Sequence, residues 1–449
     1  MALSLPPIRS HGSPGRLILR AAAAVTGAGL LVKLAATGKE IAVAGVFARS
    51  DAMDAFVVAS LIPGLLVNLI SESMNQALIP TLVRVREREG VEPAQQLLSN
   101  SMLWLCLLLA AASLVMAVGA RSFFPLIAWR FAVPKLDLAV RLFYLLLPVV
   151  LFTGIASNCT AVLNTLDRFT LPALAPAVTP LAIIAAALLC GTRWGIWVLA
   201  DATLAGALAQ AVLMAWMMDS HGYHFRLRWY AASEASREVA HQYGSVMLSS
   251  VVASGGLLAD QAMAAMLSAG SVSALAYASR FVSVVLTLLA GTISTALAPY
   301  FARLIAHRDW QGCRQTLHTW VRITALLSLP ISAALIAAAR PLIRLLLQHG
   351  TFTARDTAAV APVLALYAIQ IPFFAVSRVF YRFLVALRRT DLVLYCGVLN
   401  LVLDIVLNLV LMRCFSVAGI ALATSLWTIA TCFLLGYWTV KLLPKPAML

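Results

Sequence analysis

The residues best placed to do chemistry in this chain are three ionisable side chains inside an apolar run. Lys33, Lys39 and Glu40 fall within Gly27–Phe47 (GAGLLVKLAATGKEIAVAGVF), a stretch long enough to cross a bilayer. Each charge at mid-membrane costs roughly 2.5–3.5 kcal/mol on insertion scales, so the cluster needs a reason. On a helix Lys33 and Glu40, seven residues apart, share a face, and Lys39 is turned about a third of a turn away. Such a face belongs against water or partner helices rather than lipid. Either it binds a group that crosses the membrane, or it fixes helix packing through an internal ion pair. The residues alone leave both readings open.

Other polar residues recur in apolar surroundings. Asp54 follows a short turn and either caps the helix it opens or joins a site. Glu72 sits in NLISESMNQ beside Asn68, Ser71, Ser73, Asn75 and Gln76, a cluster suited to a cavity wall. Arg280 is the matching cation of the second half, with Asp260 ahead of it as an ion partner. Asp260 and Arg378 are the candidates for ion coupling; Asp201 and Asp404 are open to packing or proton-relay roles. The seven cysteines show no CxxC or CxxH spacing and the histidines no HExxH pattern, so neither a disulfide framework nor a metal site is expected. No cofactor and no enzymatic centre are expected either. Coupling to the membrane potential or to a monovalent ion is the one energy input left open.

The elements that position these groups follow from composition. The chain is 62% hydrophobic and 11% charged, with mean hydropathy +0.91, which is the balance of a polytopic membrane protein. Apolar segments predict twelve spans near 22–47, 54–83, 99–119, 140–163, 172–191, 194–217, 242–268, 271–300, 317–338, 358–384, 392–412 and 417–439. With the N-terminus inside, nineteen Lys and Arg fall in inner segments and ten in outer ones, which predicts both termini in the cytoplasm. No loop is long enough for a folded extramembrane domain, which argues against a membrane-embedded glycan polymerase or ligase. Ala55–Arg84 aligns without gaps on Ala274–Arg303 at an offset of 219, sharing an AL-x-P-x-x-x-R ending. This repeat predicts two six-helix lobes in the same orientation: residues 1–218, a cytoplasmic linker 219–241, and residues 242–449.

Several stretches resemble the MviN/MurJ lipid II flippases of the multidrug/oligosaccharidyl-lipid/polysaccharide exporter superfamily, over nearly the whole chain. They are Asp54-Ala55-Phe56 with the polar run to Pro80, LNTLDRFTLPALAP at Leu163–Pro176, AGSVSALAYASR at Ala269–Arg280, HGTFTARDT at His349–Thr357 and AGIALATSL at Ala418–Leu426. The resemblance implies an all-α fold of two six-helix lobes around a cationic cavity in a bacterial inner membrane. It implies alternating access for an undecaprenyl-diphosphate-linked glycan, with the cations on its pyrophosphate. Substrate-binding roles then fall on Lys33, Lys39, Glu40, Asp54, Glu72 and Arg280. The expected partners are that glycan lipid, membrane lipids and cell-envelope glycan-synthesis enzymes, with no nucleic acid; the protein is expected to be a monomer. Three departures stand out: lysines replace two family arginines at 33 and 39, Val67 replaces a third, and the chain stops after the twelfth span, where the family usually adds two helices. They leave lipid II and an exopolysaccharide precursor both open as cargo. The alternative is an ion-coupled small-molecule exporter of the same superfamily.

Overall fold

The computed structural model describes residues 14–443 apart from 167–169, 225, 232 and 388. Arg9, Arg168, Arg388 and Lys445 of the charge comparison lie outside the described residues. Among the described residues there are helices and connecting turns but no strand. The long helices are α1 (Pro14–Phe47), α2 (Asp51–Glu89), α3 (Val91–Ile127) and α4 (Val133–Thr165). Next come α5 (Thr170–Leu174, a 3-10 turn at Ala175–Ala177, then Val178–Trp194), α6 (Trp197–Ser220), α7 (Glu234–Ala265) and α8 (Ser271–Ala306). The last four are α9 (Trp310–Ala337), α10 (Ala354–Ala386), α11 (Thr390–Phe415) and α12 (Val417–Leu442). Ten of them are long and apolar enough to cross a membrane; α1, with its mid-helix charges, and α7 complete the twelve.

Short polar residues start these helices where the sequence supplies them. Ser50 accepts from the Met53 amide at 3.2 Å at the head of α2, and Ser233 from Ser236 at 3.2 Å at the head of α7. Thr353 and Asp356 form a reciprocal capping box on α10. Gly90, at φ +103°, makes the one-residue corner between α2 and α3 that a side chain would resist.

Two six-helix lobes result. In the first, α4 packs against α2, α3 and α6, and α5 against α6 and α1; in the second, α10 packs against α8, α9 and α12, and α11 against α12 and α7. The repeat seen in the sequence falls on α2 and α8, the second helix of each lobe. Helix α7 also leans across onto α2, with Ser73 and Ser250 hydroxyls 3.1 Å apart and Arg84 paired with Glu238. The void between lobes is thereby walled on the α7 side, while α1 and α8 face each other more loosely. Within α2 the helix widens to a π-helical turn at Val67–Glu72, just after Pro63 removes a backbone donor. The Val67 amide is shared between the Gly64 and Pro63 carbonyls.

Candidate functional site

The α1 cluster lies at the lobe interface, facing α8. Lys33, Ala36, Thr37 and Glu40 on α1 line a small recess of about 50 Å³ with Arg280, Phe281, Ser283 and Val284 on α8. Lys33 and Glu40 share this wall because seven residues are close to two helical turns. Glu40, 6% exposed, is ion-paired from both sides: Lys39 Nζ is 2.8 Å and Arg280 Nε 3.5 Å from the same Oε1. Arg280 itself is largely exposed, and Lys33 forms no ion pair among the described residues. The ion pair that the sequence offered as one reading of this face is present. One carboxylate anchors the helix pair, and three cations surround it, which leaves two positive charges unbalanced.

Arg280 also borders a larger cavity of about 610 Å³ between the lobes, reached by Ser60, Asn68, Thr153, Thr203, Gln261 and Ser279. These uncharged donors and acceptors suit hydroxyl-rich cargo. Val67 lines the same cavity, so the position where the resemblance implies an arginine places an apolar side chain on its wall. Glu72 is exposed one π turn beyond Asn68 and accepts from Ser157 Oγ at 3.3 Å, while Asn75 Nδ2 donates to the same hydroxyl at 2.7 Å. It does not join the Glu40 cluster.

Asp54 is placed elsewhere. Sequence reasoning set it either as a cap of its own helix or as a substrate contact; instead it caps α8 across the lobe boundary. It is fully buried, its Oδ2 accepting from the Gly270 amide at 2.7 Å and its Oδ1 from the Ser273 amide at 2.8 Å. Lys135 Nζ stands 2.9 Å from Oδ2 and 2.6 Å from Asp51. A carboxylate at a helix N-terminus satisfies orphan donors and meets the positive end of the dipole. Asp54 and Ser273 are separated by 219 residues, the offset of the internal repeat, so equivalent helix starts of the two lobes meet here.

Around them the same end of the bundle is sewn shut. Arg49 Nε donates to the Gly270 carbonyl at 3.0 Å and its guanidinium lies 3.6 Å from Asp356; Tyr277 donates to Ala48 O at 3.0 Å; the Thr351 amide donates to Gly45 O at 2.8 Å. Gly350, at φ +61°, lets this last approach occur, since a Cβ there would collide with the Gly45 carbonyl. Three of the stretches that carry the family resemblance thus converge on one seam.

A second polar centre is internal to the second lobe. Asn408 Nδ2 donates to Asp260 Oδ1 at 2.7 Å and to Asp404 Oδ1 at 3.1 Å, and Thr424 donates to Asp260 Oδ2 at 3.3 Å. Both carboxylates are buried, and no cationic side chain reaches them among the described residues. Asp260 is therefore not the partner of Arg280, as the sequence had suggested; Glu40 is. Arg378 does not reach this centre. Its guanidinium lies over the Phe374 ring at 4.5 Å and near Tyr381 at 5.7 Å, and its buried Nε has no acceptor. Sequence reasoning missed Lys135, Arg49, Asn408 and Thr424. Of these, Asn408 was the most accessible, one helical turn from Asp404.

Comparison with known proteins identifies the fold and the family. The family model described as lipid II flippase MurJ matches residues 43–445. The lipid II flippase MurJ of Burkholderia cenocepacia is 29% identical over 370 residues, covering 78% of this chain and 70% of that protein. A solved structure of lipid II flippase MurJ in an inward closed conformation superposes with TM-score 0.81 at 22% identity, over 94% of this chain and 88% of that one. An inward-facing multidrug resistance MATE transporter of the MOP superfamily superposes with TM-score 0.80 at 11% identity, over 94% and 97% of the two chains. The structural likenesses establish the MOP exporter fold, and the match across most of the sequence places the protein within it: the chain belongs to the lipid II flippase MurJ family, a family of membrane transporters and not of enzymes.

Proposed function

We propose that this protein carries lipid II, a polyprenyl-diphosphate-linked glycan, across the bacterial inner membrane by alternating access. The observation that carries this reading is the net charge of the cluster at the α1–α8 interface, where Lys33 and Arg280 line the recess with Glu40 and Lys39 pairs with Glu40. Two unbalanced positive charges from Lys33, Lys39 and Arg280 match the two negative charges of a diphosphate diester. Charge-assisted hydrogen bonds from Arg280 and the lysines would hold the phosphates, and the neutral amides and hydroxyls of the larger cavity would meet the sugar. The loosely packed α1–α8 side gives the polyprenyl tail a way to stay in lipid while the head group is inside. A cationic drug would instead meet repulsion at this wall, which disfavours a drug-exporter reading.

In this proposal the linker end of the bundle, with both termini, faces the cytoplasm, and the Asp54 seam closes the periplasmic end. The protein works as a monomer alongside the enzymes that make and use its cargo. The proposal assigns ion coupling to the Asp260–Asp404 centre, where two buried carboxylates without a cationic side chain call for a proton or monovalent cation. Asp260→Asn is expected to abolish the dependence of transport on the ion gradient in proteoliposomes while leaving cargo binding intact; an unchanged gradient dependence contradicts the assignment.

The whole reading is tested by expressing the chain in a strain depleted of its own lipid II flippase. Rescue of growth is the expected result. Failure to rescue by well-expressed, membrane-inserted protein, together with loss of a secreted polysaccharide when the native gene is deleted, would shift the cargo to another polyprenyl-diphosphate glycan.

A further inference from the structure

The connection between α6 and α7 carries a basic and aromatic run, HGYHFRLRWY at His221–Tyr230. Its described residues form no helix and are strapped along α3. The Gln95 side-chain amide grips the backbone of His224 from both sides, accepting from its N–H at 2.9 Å and donating to its C=O at 2.7 Å. Farther along α3, buried Asn100 accepts from the Tyr230 amide at 2.7 Å and donates to Ser236 Oγ at 3.4 Å. Trp229 meets Trp104 edge-on, with ring centroids 5.9 Å apart. From residue 95 to 104 the strap therefore climbs α3 toward the bilayer.

Helix α3 has 37 residues, about 55 Å of helix against roughly 30 Å of hydrocarbon, so both its ends stand clear of the core. Trp104 stands two residues into the apolar stretch that runs from Met102 to Ala120 of α3, at the boundary where tryptophan is favoured. Beside this pair the strap alternates arginine with apolar residues. Arg226, Leu227, Arg228 and Trp229 are all exposed, and in an extended segment the two kinds point to opposite sides. Two acids near the strap are engaged elsewhere, Asp219 with His224 at 2.5 Å and Glu238 with Arg84; Glu234 at the head of α7 is exposed. Arg226 and Arg228 pair with no acid among the described residues; Arg228 lies over the Tyr230 ring at 5.5 Å.

We infer that this strap is a docking surface for anionic phospholipid headgroups, with Leu227 and Trp229 seated at the hydrocarbon boundary and Arg226 and Arg228 on the phosphates. Because the strap is pinned to α3 and leads directly into α7, lipid docked on it fixes the first lobe at the membrane surface and the second lobe moves against it. This surface is independent of the cargo cavity and of what the cavity carries.

The test is amide hydrogen exchange of the full chain in nanodiscs of phosphatidylcholine alone and of phosphatidylcholine mixed with phosphatidylglycerol. Among the described residues, the amides of 226–229 have no protein acceptor, so lipid contact alone governs them. Exchange across the strap is expected to slow about tenfold with phosphatidylglycerol and to recover at high salt. The double variant R226Q/R228Q is expected to lose the difference while exchange in α3 and α6 stays as in the parent chain. Equal exchange in the two lipids, persistence of the effect in the double variant, or slowing spread evenly over the whole chain would each overturn the inference. So would protection of the strap only on adding a soluble protein extract, which would make it a protein-binding surface.

Discussion

Asp54→Ala is expected to loosen the seam between the lobes and to lower stability more than any other single polar truncation. The substitution leaves Lys135 with only the exposed Asp51 as partner and leaves the Gly270 and Ser273 amides without acceptors. Each orphaned buried amide costs roughly 1–3 kcal/mol, and the lost Lys135 pair, partly compensated by Asp51, adds to it. Because the contacts join α2 to α8, the loss should appear as separation of the lobes as well as general weakening. Ser271, 1% exposed in the seam, serves as reporter. A cysteine at 271 should resist a membrane-impermeant maleimide in the parent background and react readily with Asp54→Ala, alongside a lower melting temperature in detergent. Asp54→Asn, which keeps an acceptor oxygen but loses the charge, should fall between the two. Unchanged labelling and melting in Asp54→Ala would show that the seam does not hold this end closed.

Arg280→Ala is the second large effect, and its signature is the opposite. The side chain is 67% exposed, so its removal should leave the fold and the melting temperature nearly as they are. Transport should fall by one to two orders of magnitude, because a hydrogen bond to a charged partner contributes about 1.5–3 kcal/mol. Lys33→Ala should act in the same direction, since Lys33 has no ion pair to lose and its charge faces the recess. Replacing Lys33 or Lys39 by arginine, which grips phosphate through a planar fork, should preserve or raise cargo affinity. Full transport by both Ala variants would remove the recess from the mechanism.

How much of this could be read from the chain depends on the distance between partners. The α1 cluster was legible because Lys33, Lys39 and Glu40 lie within eight residues and the cost of charge in an apolar span singles them out. Twelve spans and a two-fold repeat followed from hydropathy and the 219-residue offset, and α2 and α8 occupy equivalent places as that offset requires. Asp54 was misplaced because local rules offer a residue at a helix start only its own helix to cap. Its actual partners, Gly270 and Ser273, are more than two hundred residues away. Asp260 was matched to Arg280 by charge alone, yet the two helices turn these groups apart, and Asp260 finds neutral donors on α11 and α12 instead. Arg378 invited an ionic reading, but aromatic rings on its own helix occupy its faces. Charges clustered on one helix stood out; partners on other helices, and uncharged partners even one turn away such as Asn408 and Phe374, did not.

The most direct measurement of the central claim is binding of lipid II to the purified protein, followed by native mass spectrometry, with undecaprenyl diphosphate as competitor. Parent protein should bind lipid II and release it to the competitor, because both present the same diphosphate to the recess. Arg280→Ala should bind at least about tenfold more weakly with its fold intact. Equal binding by parent and Arg280→Ala, or lipid II that undecaprenyl diphosphate cannot displace, would contradict a diphosphate held between α1 and α8.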